Sequence, residues 1–151
     1  MQASQRVEQK SIVSPKLDGV FARATADGIF SKGGKRITGQ EKLERRLKLH
    51  FKLRPGSELR GELYRHGAPF EKTLSDYKAK KALPYHVFPG QKRPLPVLGV
   101  KRVKGKKVAD QSAADRHYQK ALRSGYEGQV ARAPDGSLTK RKPRADQEYT
   151  V

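Results

Sequence analysis

Five short motifs follow one another along this chain, and together they restrict its fold more than any other feature of the sequence. A Lys-x-Asp-Gly tetrapeptide alone carries little information, because many unrelated proteins contain one by chance. Four further motifs follow it here, and a series of five in a fixed order is hard to obtain by accident. In chain order they are Lys16-Leu17-Asp18-Gly19, Ser31-Lys32-Gly33-Gly34-Lys35, Gly61-Glu62-Leu63, Glu127-Gly128-Gln129-Val130 and Leu138-Thr139-Lys140-Arg141-Lys142-Pro143.

Turn signals divide the chain into short strand-like runs and three helical segments. Thr38, Thr73 and Ser112 are each followed three residues later by an acidic residue, a pattern that predicts a capping box at the start of a helix. Short strands among such helices indicate an α+β fold with mostly antiparallel pairing. Strands are predicted at residues 19–25, 29–31, 58–64, 85–88, 127–133, 137–142 and 146–151, with a basic hairpin at 97–108.

The order and spacing of the five motifs resemble those of the covalent nucleotidyltransferases, and within them the adenylation domain of ATP-dependent DNA ligases. The resemblance covers the chain from about Ile12 to Val151. It implies a ligase-type fold in which mostly antiparallel sheets form a nucleotide cleft flanked by helices. Residues 1–10 are then expected to be a flexible lead and residues 11–151 the adenylation domain.

The resemblance makes Lys16 the nucleophile that takes AMP from ATP. A lysine amine in water is almost entirely protonated at neutral pH, whereas attack on phosphorus needs the neutral amine. Positive charge nearby and a divalent metal both disfavour the ammonium form. Lys140 and Lys142 alternate with Arg141, so both lysines should face the same side of a strand. We expect them to bind the triphosphate and to stabilise the departing pyrophosphate.

Glu62 and Glu127 are the acidic pair that the resemblance implies. The matching glutamates in the family help to hold the ribose and the catalytic magnesium, and carboxylates suit Mg²⁺, with Mn²⁺ as the alternative ion. Asp18 is expected to arrange the lysine loop and Gly19 to permit close backbone approach. Each of these residues alone would be read as an ordinary strand or turn residue.

Nucleotide contacts are expected from three further positions. Phe88 matches the family position whose ring stacks on adenine, although a short aromatic run is often core. Lys32 stands where the family often has arginine, and a turn lysine is the other interpretation. Phe21 replaces a family arginine, and Arg23, two residues on and hence on the same strand face, is the candidate to substitute for it.

A formal net charge of +19 favours a polyanionic partner, because releasing counterions from phosphates drives association. Runs of cations are often only solvated surface, but with these motifs we expect them to track the phosphates of nicked double-stranded DNA or an RNA-containing duplex. No pattern indicates base readout. The residues expected to bind nucleic acid are Lys35, then Lys78, Lys80 and Lys81 on one helix, and Lys101, Arg102, Lys104, Lys106 and Lys107 on one hairpin.

Several classes of protein are excluded by composition. The chain has no cysteine, so disulfides, thiolate metal sites and a cysteine nucleophile are ruled out. No stretch of about 18 apolar residues indicates a membrane span, and the first ten residues lack the apolar core of a signal peptide. We expect a cytoplasmic monomer that makes no membrane contact.

The activity that the resemblance implies is ATP-dependent sealing of DNA nicks through a lysyl-AMP intermediate and AMP transfer to a 5′-phosphate, as in DNA repair and replication. ATP is expected as donor, because the ten residues before Ser11 cannot supply the extra module of NAD-dependent ligases. No OB-fold domain is expected, which indicates either a minimal single-domain ligase or a truncated one. The alternatives are an RNA ligase, more distantly a capping-type guanylyltransferase, and a non-catalytic nucleic-acid-binding descendant of a ligase domain.

Overall fold

Two β-sheets, each with its own hydrophobic core, organise the chain in a computed structural model that describes residues 6–91, 94 and 96–143. Residues Gly19–Val103 form one compact unit, here called the continuous unit. The split unit contains Asp18 and the residues before it, together with Lys104 and the residues after it. In chain order the elements are β1 (Ile12–Lys16), β2 (Val20–Thr25), β3 (Gly28–Phe30), α1 (Glu41–Leu53), β4 (Leu59–Leu63), α2 (Phe70–Lys78), β5 (Tyr85–Val87), β6 (Val100–Arg102), β7 (Lys106–Lys107), α3 (Gln111–Arg123), β8 (Gly128–Arg132) and β9 (Leu138–Arg141).

The continuous unit is built on a five-stranded sheet in the order β3-β2-β4-β5-β6. Leu43, Leu47 and Phe51 recur at four-residue spacing along α1 and are buried against this sheet, as their periodicity predicts. Ala22 and Ala24 of β2 are fully buried in the same core, so the alternate residues of β2 face the other side of the sheet.

The split unit is built on a four-stranded antiparallel sheet in the order β7-β1-β8-β9. Sequence patterns did not predict β1, because Pro15 within it lacks the amide hydrogen that a strand ladder uses. Proline is tolerated here because β7 pairs only with Ile12 and Val13, which leaves β8 as the partner strand at Pro15. Within the predicted flexible lead, Val7 is 5% exposed and packs in the core of this unit.

The three helices exist as predicted, but each begins at a different residue. The N-cap of α3 is Asp110, whose Oδ1 accepts a hydrogen bond from the Ala113 amide at 2.9 Å, so Ser112 is already helical. Pro69 precedes α2, and Thr73 lies buried inside that helix. At Thr73 and Ser112 the spacing of polar residues matches a capping box. Both residues already lie inside their helices, so this spacing marks each helix but not its first residue.

Gln40, rather than Thr38, precedes α1. Its buried side chain does not cap the helix but bonds to a distant segment: Nε2 donates to the Lys81 carbonyl at 2.8 Å, and Oε1 accepts from the Leu83 amide at 3.1 Å. Gln40 therefore joins the start of α1 to the segment that follows α2.

The predicted hairpin at 97–108 is wrong. β6 pairs in parallel with β5 in the five-stranded sheet, whereas β7 pairs with β1 in the four-stranded sheet. Local turn chemistry near Gly105 suggested that the two runs pair with each other, but each finds its partner elsewhere in the chain. The predicted strand at 146–151 lies outside the described residues.

Over the residues that the structure covers, no helix combines the length and apolar character needed to cross a membrane.

Candidate functional site

Lys16 and Glu127 are in direct contact in the split unit. Lys16 ends β1, pairs in register with Gly128 at the start of β8, and accepts a backbone hydrogen bond from the Glu127 amide at 3.1 Å. This pairing brings the Lys16 Nζ to the Glu127 carboxylate, to which it donates. The two side chains are 23% and 25% exposed, so the ion pair is partly shielded from water but remains accessible. The sequence predicted both residues, but not their contact.

Lys140 and Lys142 lie at the end of β9, which pairs with β8. Lys140 is exposed and Arg141 is buried, as the predicted alternation requires. Lys142 is also exposed but follows the last strand residue. Both lysines can therefore meet a ligand from solvent, while the arginine between them is directed into the protein.

Arg141 is the best-anchored cation of the split unit, and sequence analysis gave it no role. Its side chain is 1% exposed; Nη1 donates to Gln129 Oε1 at 2.9 Å and Nη2 donates to Asp115 Oδ1 at 2.7 Å. The guanidinium also lies over the Tyr118 ring, 4.5 Å from its centroid, and burial raises the pKa of that phenol. These contacts tie β9 to β8 and α3. The alternation of Lys140, Arg141 and Lys142 was the available signal, because it directs the arginine to the opposite side of the strand from the lysines.

Gly19 and Glu62 meet in the continuous unit. The Gly19 amide donates to Glu62 Oε2 at 2.9 Å. A Cβ on Gly19 would lie 2.5 Å from the Leu63 carbonyl oxygen and 2.9 Å from the Glu62 carboxylate, so no side chain fits. The close approach that the structure shows at Gly19 is to Leu63 and Glu62 of β4. Asp18 directly precedes this glycine and is the last residue of the split unit before the chain passes into the continuous unit.

Phe21 and Phe88 form a half-buried aromatic pair on the side of the five-stranded sheet that faces away from α1. Their ring centroids are 6.3 Å apart and the planes are tilted by 35°. Phe21 pairs in register with Glu62, which places the predicted adenine-stacking residue and a predicted carboxylate on one sheet region. Phe21 itself was noted only as a departure from the family pattern.

Arg23 lies on the same face as Phe21 but is engaged further along the strand. Its Nη1 donates to Glu58 Oε1 at 3.3 Å, and the guanidinium lies 5.1 Å from the centroid of the Phe30 ring. Arg60, its register partner, donates to the other oxygen of Glu58 at 2.9 Å, and that bond holds the pKa of Glu58 below its usual value. These contacts hold Arg23 two register positions away from the Phe21–Glu62 pair.

Lys32 and Lys35 are presented by a tight turn between β3 and α1. The Ser31 amide donates to the Lys35 carbonyl at 2.8 Å, and the Lys35 amide donates to Ser31 Oγ at 3.1 Å. Gly34 lies between them at a φ of 88°, which glycine adopts at little cost. Both lysine side chains are exposed.

Lys35, Lys78 and Lys80 converge on one groove of about 250 Å³, here called the lysine groove, together with Arg36 and Tyr77. Lys78 ends α2, and Lys80 and Lys81 follow its C-cap, so the three lysines do not share one helix as predicted. Lys81 turns to the buried Asp76, with its Nζ 3.9 Å from Oδ1.

Asp76 accepts a hydrogen bond from Lys72 and forms longer ion pairs with Arg65 and Lys81. Lys72 Nζ lies 3.1 Å from Oδ1 and Arg65 Nε lies 3.6 Å from Oδ2. The hydrogen bond from Lys72 holds the pKa of this carboxyl below its ordinary value. Lys81 makes the longest of these contacts and its side chain is 64% exposed, so its role in nucleic-acid binding stays a prediction.

The other five residues predicted to bind nucleic acid do not share one hairpin, because the two strands that would form it belong to different sheets. Lys101 and Arg102 belong to β6 in the continuous unit, and Lys106 and Lys107 form β7 in the split unit. Lys104 lies between the strands, and all five side chains are exposed.

The candidate metal ligands are two separate carboxylates, those of Glu62 and Glu127. Across residues 6–91, 94 and 96–143, no group of three or more His, Asp or Glu side chains could hold a metal ion. Glu127 and Glu62 each offer a carboxylate within a different unit. Such single carboxylates fit Mg²⁺, which keeps several waters and takes one or two protein oxygens together with substrate phosphates.

Comparison with known proteins gives similarity of fold rather than of sequence. No family model matches the chain, and no curated protein is similar to it in sequence. A solved structure of a Lig E DNA ligase, described as binding DNA with a minimal scaffold, superposes with a TM-score of 0.67 at 17% identity and covers 93% of this chain. The Chlorella virus DNA ligase-adenylate superposes with a TM-score of 0.67 at 20% identity over 90% of this chain, and Pmar-Lig with 0.66 at 18% over 89%.

The chain spans 64%, 62% and 42% of the lengths of these three solved chains. The predicted fold class is confirmed: the chain is a mixed α+β protein with largely antiparallel sheets, similar to the adenylation domains of DNA ligases.

Proposed function

We propose that this chain is an ATP-dependent polynucleotide ligase that forms a covalent lysyl-AMP intermediate at Lys16. The observation that carries the proposal is the Lys16–Glu127 contact, found on a fold similar to that of DNA ligases. The two motifs were identified from the sequence alone. Their charged residues, Lys16 and Glu127, are 111 positions apart in the chain and are in contact in the structure.

The first step is attack of Lys16 Nζ on the α-phosphorus of ATP. A phosphorus–nitrogen bond forms, the bond from the α-phosphorus to the bridging oxygen breaks, and pyrophosphate leaves. Nζ must lose a proton for this attack, whereas its contact with the Glu127 carboxylate favours the ammonium form; a Mg²⁺ ion held by Glu127 would oppose that preference. Exposed Lys140 and Lys142 are suited to stabilise the charge on pyrophosphate.

The continuous unit, taken by itself, holds the candidate residues for nucleotide binding. Phe88, supported by Phe21, offers an apolar surface for adenine, and Glu62 is the neighbouring carboxylate for the ribose. Mg²⁺, when bound by Glu127 or Glu62, would neutralise part of the triphosphate charge. Lys32 is a further candidate for the nucleotide phosphates.

The second and third steps complete the reaction. AMP passes from Lys16 to the 5′-phosphate at a nick, which breaks the phosphorus–nitrogen bond and forms a phosphoanhydride. The adjacent 3′-hydroxyl then attacks the 5′-phosphorus, and AMP leaves as the strand is sealed. The basic groups Lys35, Lys78, Lys80, Lys101, Arg102, Lys104, Lys106 and Lys107 would hold the duplex through its phosphates.

The test is intact mass spectrometry after incubation with ATP, MgCl₂ and pyrophosphatase. The wild type should gain one AMP, Lys16→Ala and Lys16→Arg should gain none, and Lys120→Ala, a change at an exposed lysine of α3, should behave as wild type. Absence of an adduct from the wild type, with nicked-duplex binding retained, would overturn the catalytic proposal and favour a binding-only descendant. Sealing assays on nicked DNA and nicked RNA-containing duplexes would then separate a DNA ligase from an RNA ligase.

A further inference from the structure

A second basic groove lies along α1 in the continuous unit, at a place for which the sequence predicted no function. This α1 groove has a volume of about 570 Å³ and is bounded on one side by the β2–β3 turn and on the other by α1. Phe51, which is 6% exposed, contributes an apolar floor.

The charge of the α1 groove is mostly positive. Four cations and two carboxylates, Asp27 and Glu44, line it. Arg36 Nη2 donates to both oxygens of Glu44, at 3.0 and 3.2 Å, so these two charges offset each other. Arg45, Lys48 and Lys52 make no ion pair with any carboxylate in the described part of the chain, and all three are exposed. Arg45 also interacts electrostatically with Glu41 of the same helix, and with Asp27 and Glu44 in the lining the groove carries a net charge of +2. Its three exposed cations remain open to an anionic ligand.

These three cations form a stripe that matches a polyanion. Arg45, Lys48 and Lys52 recur after three and four residues, so they lie on one side of α1. From first to last they span about 10.5 Å along the helix axis, at 1.5 Å per residue. Successive phosphates of one duplex strand advance by about 3.4 Å along the duplex axis, so the stripe has the length of roughly three phosphate steps along that axis.

We propose that the α1 groove binds one sugar-phosphate strand of a nucleic acid and thereby extends the nucleic-acid-binding surface of the continuous unit along α1. Arg36 lines both this groove and the lysine groove, so the cationic lining continues from Lys78 and Lys80 to Lys52. The inference rests on the proposed function only in taking nucleic acid as the partner.

An anionic bilayer is the competing partner, because Leu49 and Leu53 of α1 are 57% and 61% exposed. The groove favours nucleic acid, since a single backbone strand can enter a concave channel and a flat bilayer cannot. Membrane-surface helices also present bulky aromatic residues to the lipid, whereas Phe51 is buried.

The test compares the triple variant R45Q/K48Q/K52Q with the triple variant R116Q/K120Q/R123Q. The second set removes the same charge from three exposed cations on one side of α3, in the split unit. Binding of a nicked 25-base-pair DNA would be measured by fluorescence anisotropy at several salt concentrations. Because each lost phosphate contact lowers the slope of log K against log salt by about 0.9, the groove variant should lose about 2 to 3 in slope and the α3 variant less than 1.

If the salt slope falls equally in the two triple variants, the inference is overturned, because net charge alone would then explain binding. Unchanged slope in the groove variant would also overturn it, as would a loss of binding to phosphatidylserine vesicles without a loss for DNA. If the triple variant does not fold, Lys48→Gln and Lys52→Gln singly should each lower the slope by about 1, and no change in either would contradict the inference.

The Lys16→Ala mass experiment separates this inference from the proposed function. A groove-dependent salt slope without an AMP adduct on the wild type would support the groove and overturn the ligase. An AMP adduct on the wild type, together with an unchanged salt slope in the groove variant, would support the ligase and overturn the groove.

Discussion

Arg141 and Asp115 form an ion pair that is buried at one end and open at the other. The arginine side chain is 1% exposed, whereas the aspartate side chain is 50% exposed, and their closest atoms are 2.7 Å apart. The guanidinium therefore depends on its partners, while the carboxylate can still be hydrated. Removing one member should have a very different effect from removing the other.

Replacing Arg141 with methionine should lower the free energy of unfolding by about 2–4 kcal/mol, because buried Gln129 loses its donor and the packing over Tyr118 is lost. Asp115→Asn keeps the shape and an acceptor but removes the carboxylate that pairs with the buried guanidinium, so we expect a smaller loss of about 1–2 kcal/mol. Urea unfolding of both variants measures the difference. Equal decreases in the free energy of unfolding of the two variants would contradict the different dependence of Arg141 and Asp115 on their pairing.

Replacing Gly19 with alanine should disturb the contact with Glu62. The new Cβ would lie 2.5 Å from the Leu63 carbonyl oxygen, so backbone must move, and we expect a loss of stability of about 1–3 kcal/mol together with slower self-adenylation. Gly33→Ala is the matched control, since nothing lies within 4 Å of its Cβ position, and its effect on stability should stay within about 0.5 kcal/mol. Chemical denaturation and the rate of adduct formation are the two measurements.

Removing the ring of Phe88 should weaken ATP binding. Stacking of a base on an aromatic side chain contributes about 1–3 kcal/mol, so Phe88→Ala should raise the Kd for ATP by roughly 5- to 150-fold. Tripolyphosphate has no base, and its Kd should not change. Phe21→Leu should cause a smaller rise, because the 6.3 Å contact makes Phe21 a support for Phe88. Calorimetry would decide, and equal effects on both ligands would contradict a stacking role.

Stability should fall as the pH decreases from about 7 to 5. Burial lowers the pKa of His50, His86 and His117 below the ordinary 6.5 of the unfolded chain. The unfolded state therefore takes up protons first as the pH drops through 6.5, so their contribution is present above that pH and is lost below it. The pKa of Asp76 is lowered from 3.8 by its hydrogen bond with Lys72, so the stability that this carboxylate contributes is lost only at more acidic pH.

Urea unfolding at pH 7.5, 6.5, 5.5 and 5.0 tests this dependence. Because His50 is 1% exposed, His50→Gln should flatten the curve in this range. A variant as acid-sensitive as the wild type would assign the effect to other groups.

Much of the fold could be predicted because local patterns agree with it. Leu43, Leu47 and Phe51 predicted the buried face of α1, and the residue order of the motifs predicted the fold class. β1 was missed because Pro15 argues against a strand when neighbours are unknown. The hairpin at 97–108 was wrong because β6 and β7 have non-local partners, which no turn signal encodes.

The sequence names residues for a candidate site but does not encode their contacts. Lys16 and Glu127 could each be named from a motif, yet their hydrogen bond arises only from the pairing of β1 with β8. Arg141 was treated as the residue between two lysines, because burial of an arginine depends on acceptors from α3 and β8. The α1 groove needs a turn and a helix that are separated in sequence.

The pairing of β1 with β8 also fixes when Lys16 and Glu127 can first meet during synthesis. Gly19–Val103 is one uninterrupted segment, so every strand of its sheet is synthesised before β8. Lys16 is translated early, but its partner Glu127 is encoded 111 residues later. The nascent chain must therefore keep the β1 segment unpaired with β8 through most of translation, and the Lys16–Glu127 pair forms only after β8 emerges.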